Sequence, residues 1–319
     1  MATETWDGSA AGFFNATHWT PTGVPQAGDT AVIQSGTVTV RHHMLNDLTV
    51  VLGSPDPSST ATLSLRNAAL GSGLRIDILD PSYNGDIQPF PKPTTTAAID
   101  VKGFVEDAGS VEVGGNLSAN YNSNAGFLTI DLARNSAFDL TGSILVNPSS
   151  SLHVEGDENT ALINNGTVVA SSPVIIGVPV LGNGTFDLEY GRSSSGNTEF
   201  ASLVGPGQAI ALHSFTSLTL DEPELFLGSI SETPASTIIL SNTHMTSDIY
   251  KNGVLTIFDD LTPVANLRVT STMDAGFNVS NQAGNVIVTA PAPSTALNVT
   301  MADQSQQLSS PAMLLNVSA

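Results

Sequence analysis

The chain has 319 residues and contains no cysteine. A secreted protein of this size from an animal or a fungus would often carry disulfides, so their absence fits a bacterial exported protein or a cytosolic one. No stretch approaches the roughly eighteen apolar residues of a membrane-spanning helix, and we expect no membrane span. The opening MATETWDGSA lacks the basic start and the apolar centre of a secretory signal. We therefore expect export without a cleaved N-terminal signal peptide, or a signal that has already been removed.

Positive charge is scarce, with 9 Lys and Arg against 29 Asp and Glu and a formal net charge of −20. Such a field repels phosphate backbones and anionic membrane surfaces, so nucleic acid is excluded as an expected partner. The same charge favours cation binding and solubility. Its simplest interpretation is that it keeps an extracellular protein dispersed.

Aromatic residues make up only 6% of the chain, whereas hydrophobic residues make up 40% and are mostly Val, Ile, Leu and Ala. A core of small aliphatic side chains suits narrow stacked layers better than the bulky interior of a sandwich. Helix-forming segments are nearly absent, and the 28 Gly and 18 Pro supply the chemistry of turns. The composition therefore predicts an all-β fold.

Short runs in which every second residue is apolar recur along the whole chain, as in GTVTV (36–40), SVEV (110–113) and SILV (143–146). This alternation is typical of strands with one buried face. The longer segments GSVEVGGNLS, GSILVNPSSSLHVEG and NNGTVVASSPVIIG place apolar pairs, a polar corner and a glycine at similar offsets. Such repetition favours a β-solenoid, in which each coil buries its face against its neighbours. The alternative is a β-sandwich.

Asn-Gly, the signal of a tight hairpin between alternating runs, occurs at few places. Asn165-Gly166 and Asn252-Gly253 are the candidates, and most other links are longer and rich in Ser and Pro. This scarcity of hairpins also favours the solenoid.

Three parts are predicted along the chain. Residues 1–200 form a β-solenoid with a loop insertion at 80–96, where four prolines interrupt the pattern. Residues 201–290 have longer strands and form terminal coils or a β capping module, which an open solenoid needs at its end. Residues 291–319 form a linker and a C-terminal strand, or a secretion or assembly tail. Its apolar residues can pair with the edge of a neighbouring copy, and the assembly candidates are Leu297, Val299, Met313, Leu314, Leu315 and Val317.

Calcium is the only cofactor for which the sequence offers a candidate site. Asp157, Glu158 and Asn159 lie together in the stretch EGDENT and present the hard oxygen ligands that calcium accepts. The alternative interpretation of this stretch is a solvated acidic loop.

No catalytic motif is present in the sequence. His42 and His43 are adjacent, and neighbours on a strand point to opposite faces, so they cannot easily bind one zinc ion. Asp131 and Asp139 can meet on neighbouring coils, but nothing singles them out as the carboxylate pair of a glycosidase. A lyase that acts on acidic sugars would need clustered basic residues. The nine basic residues form no such cluster along the sequence. We therefore predict that the protein is not an enzyme.

Trp6 and Trp19 are the only tryptophans in the chain. We predict that they cover the open end of the first coil. The alternative role is a platform on which aromatic rings stack against sugars.

The opening of the chain resembles that of proteobacterial surface proteins of the autotransporter-passenger and adhesin type. The likeness rests on Trp6, on Asn15 with Trp19, and on the segment GVPQAGDTAVIQSGTVTV that follows them. The second half resembles a module of the same proteins, with the ordered pieces GNGTFDLEYG, LVGPGQAIAL, SLTLDEPELFLGSI, TIILSN, YKNGVLTIFDD and NVSNQAGNVIVTA. This resemblance implies a right-handed parallel β-helix that is displayed or released outside a Gram-negative cell.

Together these features predict a right-handed parallel β-helix with a C-terminal β cap. The expected function is that of a non-catalytic structural or adhesive protein that self-assembles into filaments or layers at the bacterial cell surface or in the biofilm matrix. Its expected partners are further copies of itself and surface glycans. The alternative function is that of a β-helix carbohydrate-active enzyme, either a polysaccharide lyase or a glycoside hydrolase.

Overall fold

The structure is a computed structural model that describes residues 2–53, 59–78, 94–113, 125–189, 197–271 and 277–290. The fold is all-β and has long parallel sheets, as the alternating runs predict. Two short 3-10 helices, Ala16–His18 and Pro223–Leu225, are its helical elements in these ranges. No helix in this part of the chain has the length and apolarity needed to cross a membrane.

Three sheets contain all the strands of the described residues, and each strand in the lists below lies next to the one before it. Sheet A has fourteen strands: Ser247–Lys251, Val254–Asp259, Thr262–Ser271, Ser229–Glu232, Ala209–Leu212, Thr185–Leu188, Thr167–Ala170, Ser143–Val146, Ser110–Val113, Arg75–Ile78, Thr49–Leu52, Thr30–Ile33, Thr3–Trp6 and Trp19–Thr20. Sheet B has twelve strands: Ala10–Gly12, Gly36–Arg41, Ala61–Arg66, Thr94–Lys102, Ala125–Leu132, Ser151–Gly156, Val174–Ile176, Asn197–Phe200, Ser217–Leu220, Thr237–Leu240, Asn285–Thr289 and Asn278–Gln282. Sheet C has six strands: Val180–Leu181, Ala161–Asn164, Ala137–Leu140, Phe104–Asp107, Ala69–Leu70 and Met44–Leu45.

The chain passes through the three sheets in a repeated order. One circuit runs through Thr30–Ile33 in sheet A, Gly36–Arg41 in sheet B and Met44–Leu45 in sheet C, and the next circuit begins at Thr49–Leu52. Each of these strands pairs in parallel with the equivalent strand of the following circuit. This β-helix-like arrangement disfavours the sandwich alternative, because the sheets of a sandwich are antiparallel.

Equivalent apolar residues stack on one another inside the circuits. Val38, Leu63, Ile99 and Ile130 are register partners on successive strands of sheet B, and all four are completely buried. Burying each of these side chains stabilises the fold by about 1.5–3 kcal/mol. The small aliphatic core predicted from the composition is therefore a set of columns that run along the stack.

The corner between sheets C and A requires glycine at recurring positions. A Cβ atom on Gly142 would overlap the carbonyl oxygen of Gly109, and a Cβ atom on Gly166 would overlap that of Gly142. Successive circuits therefore approach closely at this corner. The close approach explains why the similar segments noted in the sequence each carry a glycine just before a strand of sheet A.

The predicted loop insertion at 80–96 is wrong at its C-terminal end, because a strand of sheet B already begins at Thr94. Three consecutive β-branched threonines favour extended backbone there. The rest of the insertion, residues 80–93, lies outside the described residues, as does the predicted tail at 291–319.

The two ends of the stack depart from parallel pairing. At the N-terminal end, Thr3–Trp6 pairs in parallel with the first circuit and antiparallel with Trp19–Thr20. At the C-terminal end, Thr237–Leu240 pairs antiparallel with Asn285–Thr289, and Val254–Asp259 pairs antiparallel with Thr262–Ser271. Thr262–Ser271 still pairs in parallel with Ser229–Glu232, and the other strand pairs formed beyond residue 240 in the described residues are antiparallel.

Candidate binding surface

Three basic residues share one register position on the outer face of sheet B. Arg41 pairs with Arg66, and Arg66 pairs with Lys102, on three successive parallel strands. The residues just before them, Val40, Leu65 and Val101, are completely buried. Because adjacent side chains on a strand point to opposite faces, the three cations face outward in a row, which we call the basic column.

Within the described residues, the cations of the basic column form no ion pair. None of the ion pairs among the described residues includes Arg41, Arg66 or Lys102. Arg41 and Lys102 are exposed, and Arg66 is half-buried. The Nε atom of Arg66 is buried and has no hydrogen-bond partner in this part of the structure. Buried donors normally have a partner, so this guanidinium has unused capacity.

A row of carboxylates lies beside the basic column, two residues earlier on the strands. Asp100, Asp131 and Glu155 are register partners on successive strands and form what we call the carboxylate column. Burial and the neighbouring charge of Asp131 raise the pKa of Asp100, while the charge of Arg66 opposes that rise. Burial and the charges of Glu155 and Asp157 raise the pKa of Asp131. The outer face of sheet B is therefore basic toward the N-terminal coils and acidic farther along the stack.

Two adjoining surface grooves follow the corner between sheets B and C at the basic end. The first has a volume of about 620 Å³ and is lined by Ala10, Ala11, Gly12, Phe14, Asn15, Thr39, Arg41 and His43. The second has a volume of about 400 Å³ and is lined by His42, His43, Met44, Asn67, Ala68, Ala69, Phe104 and Glu106. His43 lines both grooves, which therefore adjoin at this residue.

Large apolar side chains are exposed in these grooves. Phe14 is 45% exposed and Phe104 is 51% exposed, and the Phe14 ring lies 4.5 Å from the His43 ring, measured between centroids. Asn67 positions the chain here, since its Oδ1 accepts a hydrogen bond from the backbone nitrogen of Phe104 at 3.2 Å. The grooves thus combine aromatic faces, amides and basic groups.

The predicted geometry of the histidine pair is wrong. His42 has a φ of 53° and lies with His43 in the turn between Gly36–Arg41 and Met44–Leu45, not on a strand. Both side chains are exposed. The argument from alternating strand faces therefore does not apply to them, because a left-handed residue interrupts the extended backbone.

The predicted calcium ligands are bonded to the turn of the preceding circuit. Arg134 Nη2 lies 2.7 Å from Glu158 Oε2, and Asn159 Nδ2 donates to Asn135 Oδ1 at 3.1 Å. The backbone nitrogen of Asp157 donates to the Leu132 carbonyl at 3.1 Å. Among the described residues, no group of three or more histidines and carboxylates is arranged to hold a metal ion. Calcium binding by Asp157, Glu158 and Asn159 stays a prediction.

The predicted meeting of Asp131 and Asp139 on neighbouring coils is wrong. Asp131 lies on Ala125–Leu132 in sheet B, and Asp139 lies on Ala137–Leu140 in sheet C of the same circuit. A corner separates the two strands, so the two residues belong to different faces. Asp131 instead neighbours Asp100 and Glu155.

The two tryptophans are part of the core at the N-terminal end. Trp6 is 4% exposed and Trp19 is 1% exposed, with ring centroids 4.9 Å apart in an edge-to-face arrangement. Trp19 Nε1 donates to the Phe13 carbonyl at 2.8 Å. These rings cover the first circuit, as predicted, and their burial leaves no face free for a sugar.

The assembly candidates Leu297, Val299, Met313, Leu314, Leu315 and Val317 lie outside the described residues. Their predicted role stays a prediction.

Sequence reasoning missed the basic column, although a signal for it is present. In each case an apolar residue at the end of an alternating run is followed by a cation and then by a turn residue: Val40-Arg41-His42, Leu65-Arg66-Asn67 and Val101-Lys102-Gly103. The turn residues His42, Asn67 and Gly103 all have positive φ. A search for this triplet would have aligned the three cations.

Comparisons of the chain with protein-family models, with curated proteins and with solved structures return no match. The functional argument therefore depends on the geometry of the molecule itself.

Proposed function

We propose that the fold is a right-handed parallel β-helix with a C-terminal β cap. The repeated passage through sheets A, B and C supports this proposal, since equivalent strands of successive circuits pair in parallel. The right hand follows from a general rule, because connections between parallel strands of one sheet are right-handed in about 98% of cases. The strands beyond residue 240, most of whose pairings are antiparallel, would form the cap.

We propose that the protein is a non-catalytic extracellular structural or adhesive protein, of the autotransporter-passenger and adhesin type, that self-assembles at the bacterial cell surface or in the biofilm matrix. The observation that carries this proposal is the open edge of sheet A at the C-terminal end. Ser247–Lys251 is the outermost strand there, and all five of its residues are exposed. Ile249, at its centre, is 54% exposed.

An exposed edge strand presents unpaired backbone groups that another chain can pair with. The opposite end of the stack also has an outermost strand, Ala10–Gly12 of sheet B, whose residues are largely exposed. Contact between two different ends is heterologous, and repeating such a contact produces an open filament rather than a closed ring. This geometry supports head-to-tail assembly of further copies.

Sedimentation of the purified chain over a range of concentrations tests the proposal, with the variant Ile249→Lys beside the wild type. We expect the wild type to form growing oligomers and Ile249→Lys to remain smaller, because a lysine on an edge strand opposes edge pairing. Leu261→Lys is the matched control. It adds the same charge within the same cap at a residue that is 94% exposed and outside any strand, and it should assemble like the wild type. A wild type that stays monomeric throughout, or equal assembly of all three proteins, contradicts self-assembly through this edge.

The second candidate function is that of a carbohydrate-active enzyme, and one observation favours it. Neighbouring strands lie about 4.8 Å apart, so Asp100, Asp131 and Glu155 have a spacing close to the roughly 5–5.5 Å between the carboxyl groups of retaining glycosidases. Arg66 and Lys102 stand beside them, which supplies the basic groups that a polysaccharide lyase needs.

A screen against acidic and neutral polysaccharides separates the two functions. Product formation that is lost in Asp131→Asn would replace the non-catalytic proposal with the enzymatic one. No product from any polysaccharide is the outcome that the non-catalytic proposal expects.

A further inference from the structure

We infer that the basic column and its two grooves bind an acidic polysaccharide, with the sugar chain lying along the stack and its carboxylates on Arg41, Arg66 and Lys102. This inference deepens the proposed adhesive function by naming the class of glycan, and it rests on that function.

Positive charge is concentrated in the basic column. Three of the 9 basic residues of a chain with a net charge of −20 stand at one register position, and no described residue forms an ion pair with them. A ligand with carboxylates would supply these pairs. Charge-assisted hydrogen bonds of this kind are among the stronger polar contacts in proteins.

The distance between successive cations of the basic column determines which kind of anion can bind to it. Successive strands are about 4.8 Å apart, so the cations repeat along the stack at this interval. An extended polyuronate carries one carboxylate per sugar, and one sugar unit spans a similar length. Double-stranded DNA carries one phosphate about every 3.4 Å of helix axis on each strand, which does not match the interval and gives a denser charge for the acidic protein to repel.

The grooves supply contacts for the uncharged parts of the sugar. The exposed rings of Phe14 in the first groove and Phe104 in the second offer flat apolar faces, and His43 lines both grooves. The side chains of Asn15 and Asn67 add amide groups that can bond hydroxyls. The combination of apolar faces with a few polar groups is typical of small-molecule and sugar sites.

The carboxylate column limits where the ligand can lie. The carboxylate column begins at Asp100, on the strand of Lys102, and beyond that strand the same face of sheet B carries Asp131 and Glu155, which repel an anionic chain. The acidic polysaccharide is therefore confined to the first coils, between Phe14 and Lys102.

The test measures binding of the full chain to polygalacturonate, a polymer with one carboxylate per sugar, with neutral dextran and double-stranded DNA as comparison probes. We expect polygalacturonate to bind best, with an affinity that falls as salt is added. The variant R41Q/K102Q changes two exposed residues and should lose about tenfold or more in affinity. The matched control R134Q/R268Q removes two exposed cations that lie outside both the basic column and the edge strand Ser247–Lys251, with the same change in net charge, and should bind within about twofold of the wild type.

Equal affinity of the two variants, no binding of polygalacturonate, or a preference for DNA would overturn the inference. Sedimentation of the same samples separates this failure from that of self-assembly. Lost binding with intact assembly overturns only the ligand class, whereas intact binding without assembly overturns only the assembly proposal. Depolymerisation of polygalacturonate that requires Arg41 and Lys102 supports the binding surface and overturns the non-catalytic role.

Discussion

Two Asn-Gly pairs that look alike in the sequence occupy different structures in the stack and in the cap. Asn252 and Gly253 have φ values of 52° and 77° and join two antiparallel strands as a tight hairpin. Asn165 and Gly166 instead form a corner between sheets C and A, where the backbone of Gly166 approaches the carbonyl of Gly142. In the cap, glycine is needed because the turn requires a positive φ. In the stack, glycine is needed because successive circuits approach too closely for a side chain.

This difference shows what holds each region together. A hairpin in the cap depends mainly on its own turn and its own two strands. A corner in the stack depends on the circuits above and below it, so a change at one corner displaces its neighbours as well. Substitutions in the stack should therefore cost more than equivalent substitutions in the cap.

The largest effect is expected for Gly166→Ala in the stack. The added methyl group overlaps the backbone carbonyl of Gly142, which cannot rotate away as a flexible side chain would. We expect a loss of about 3 kcal/mol in the free energy of unfolding, measured by chemical denaturation. Gly23→Ala is the control, because a Cβ atom there has nothing within 4 Å, and it should leave stability nearly unchanged. A small effect at Gly166 would contradict the close stacking of corners.

The second-largest effect on stability is expected at the junction between the stack and the cap, where the Glu232 side chain is completely buried. Its Oε1 accepts a hydrogen bond from the Ala290 nitrogen at 3.2 Å, which joins strand Ser229–Glu232 of sheet A to the end of the cap. Burial raises the pKa of this carboxyl from 4.5 to about 7. The folded protein therefore holds a proton that the unfolded chain releases, so the stability that Glu232 contributes is complete below pH 4.5 and is lost as the pH rises through about 7.

Glu232→Gln should remove this dependence, because the amide stays neutral at every pH. Relative to the variant, we expect the wild type to lose about 2–3 kcal/mol between pH 4.5 and pH 8 in chemical denaturation. Asp107, whose pKa burial raises to about 6, adds a slope of the same sign that remains in the variant. Parallel pH profiles for the wild type and Glu232→Gln would show that Glu232 is not protonated in the folded state.

A smaller effect is expected for Gly253→Ala in the cap. No atom lies within 4 Å of the added methyl group, so the cost comes only from holding alanine at a φ of 77°. We expect a loss of about 1 kcal/mol, measured under the same conditions as Gly166→Ala. A loss as large as that at Gly166 would remove the proposed distinction between the two regions.

The smallest effect is expected for Arg134→Gln on the surface of the stack. Its partner Glu158 is 76% exposed, and ion pairs between exposed side chains contribute little in water. We expect a change of less than about 0.5 kcal/mol in thermal or chemical unfolding. A larger loss would mean that this pair helps to hold neighbouring circuits together.

The strands of this fold could be predicted from the sequence, because alternation of apolar residues records which face is buried. The runs GTVTV and SVEV coincide with Gly36–Arg41 and Ser110–Val113. The basic column could not be predicted by counting along the chain. The connections between Arg41, Arg66 and Lys102 differ in length, and only the pairing of parallel strands brings the three residues together.

Electron microscopy of the purified chain at increasing concentration, with and without calcium, tests the central claim most directly. The account predicts filaments built head to tail, with a repeat of about 4.8 Å along the axis from the stacked strands. Single, unjoined particles under every condition would contradict it.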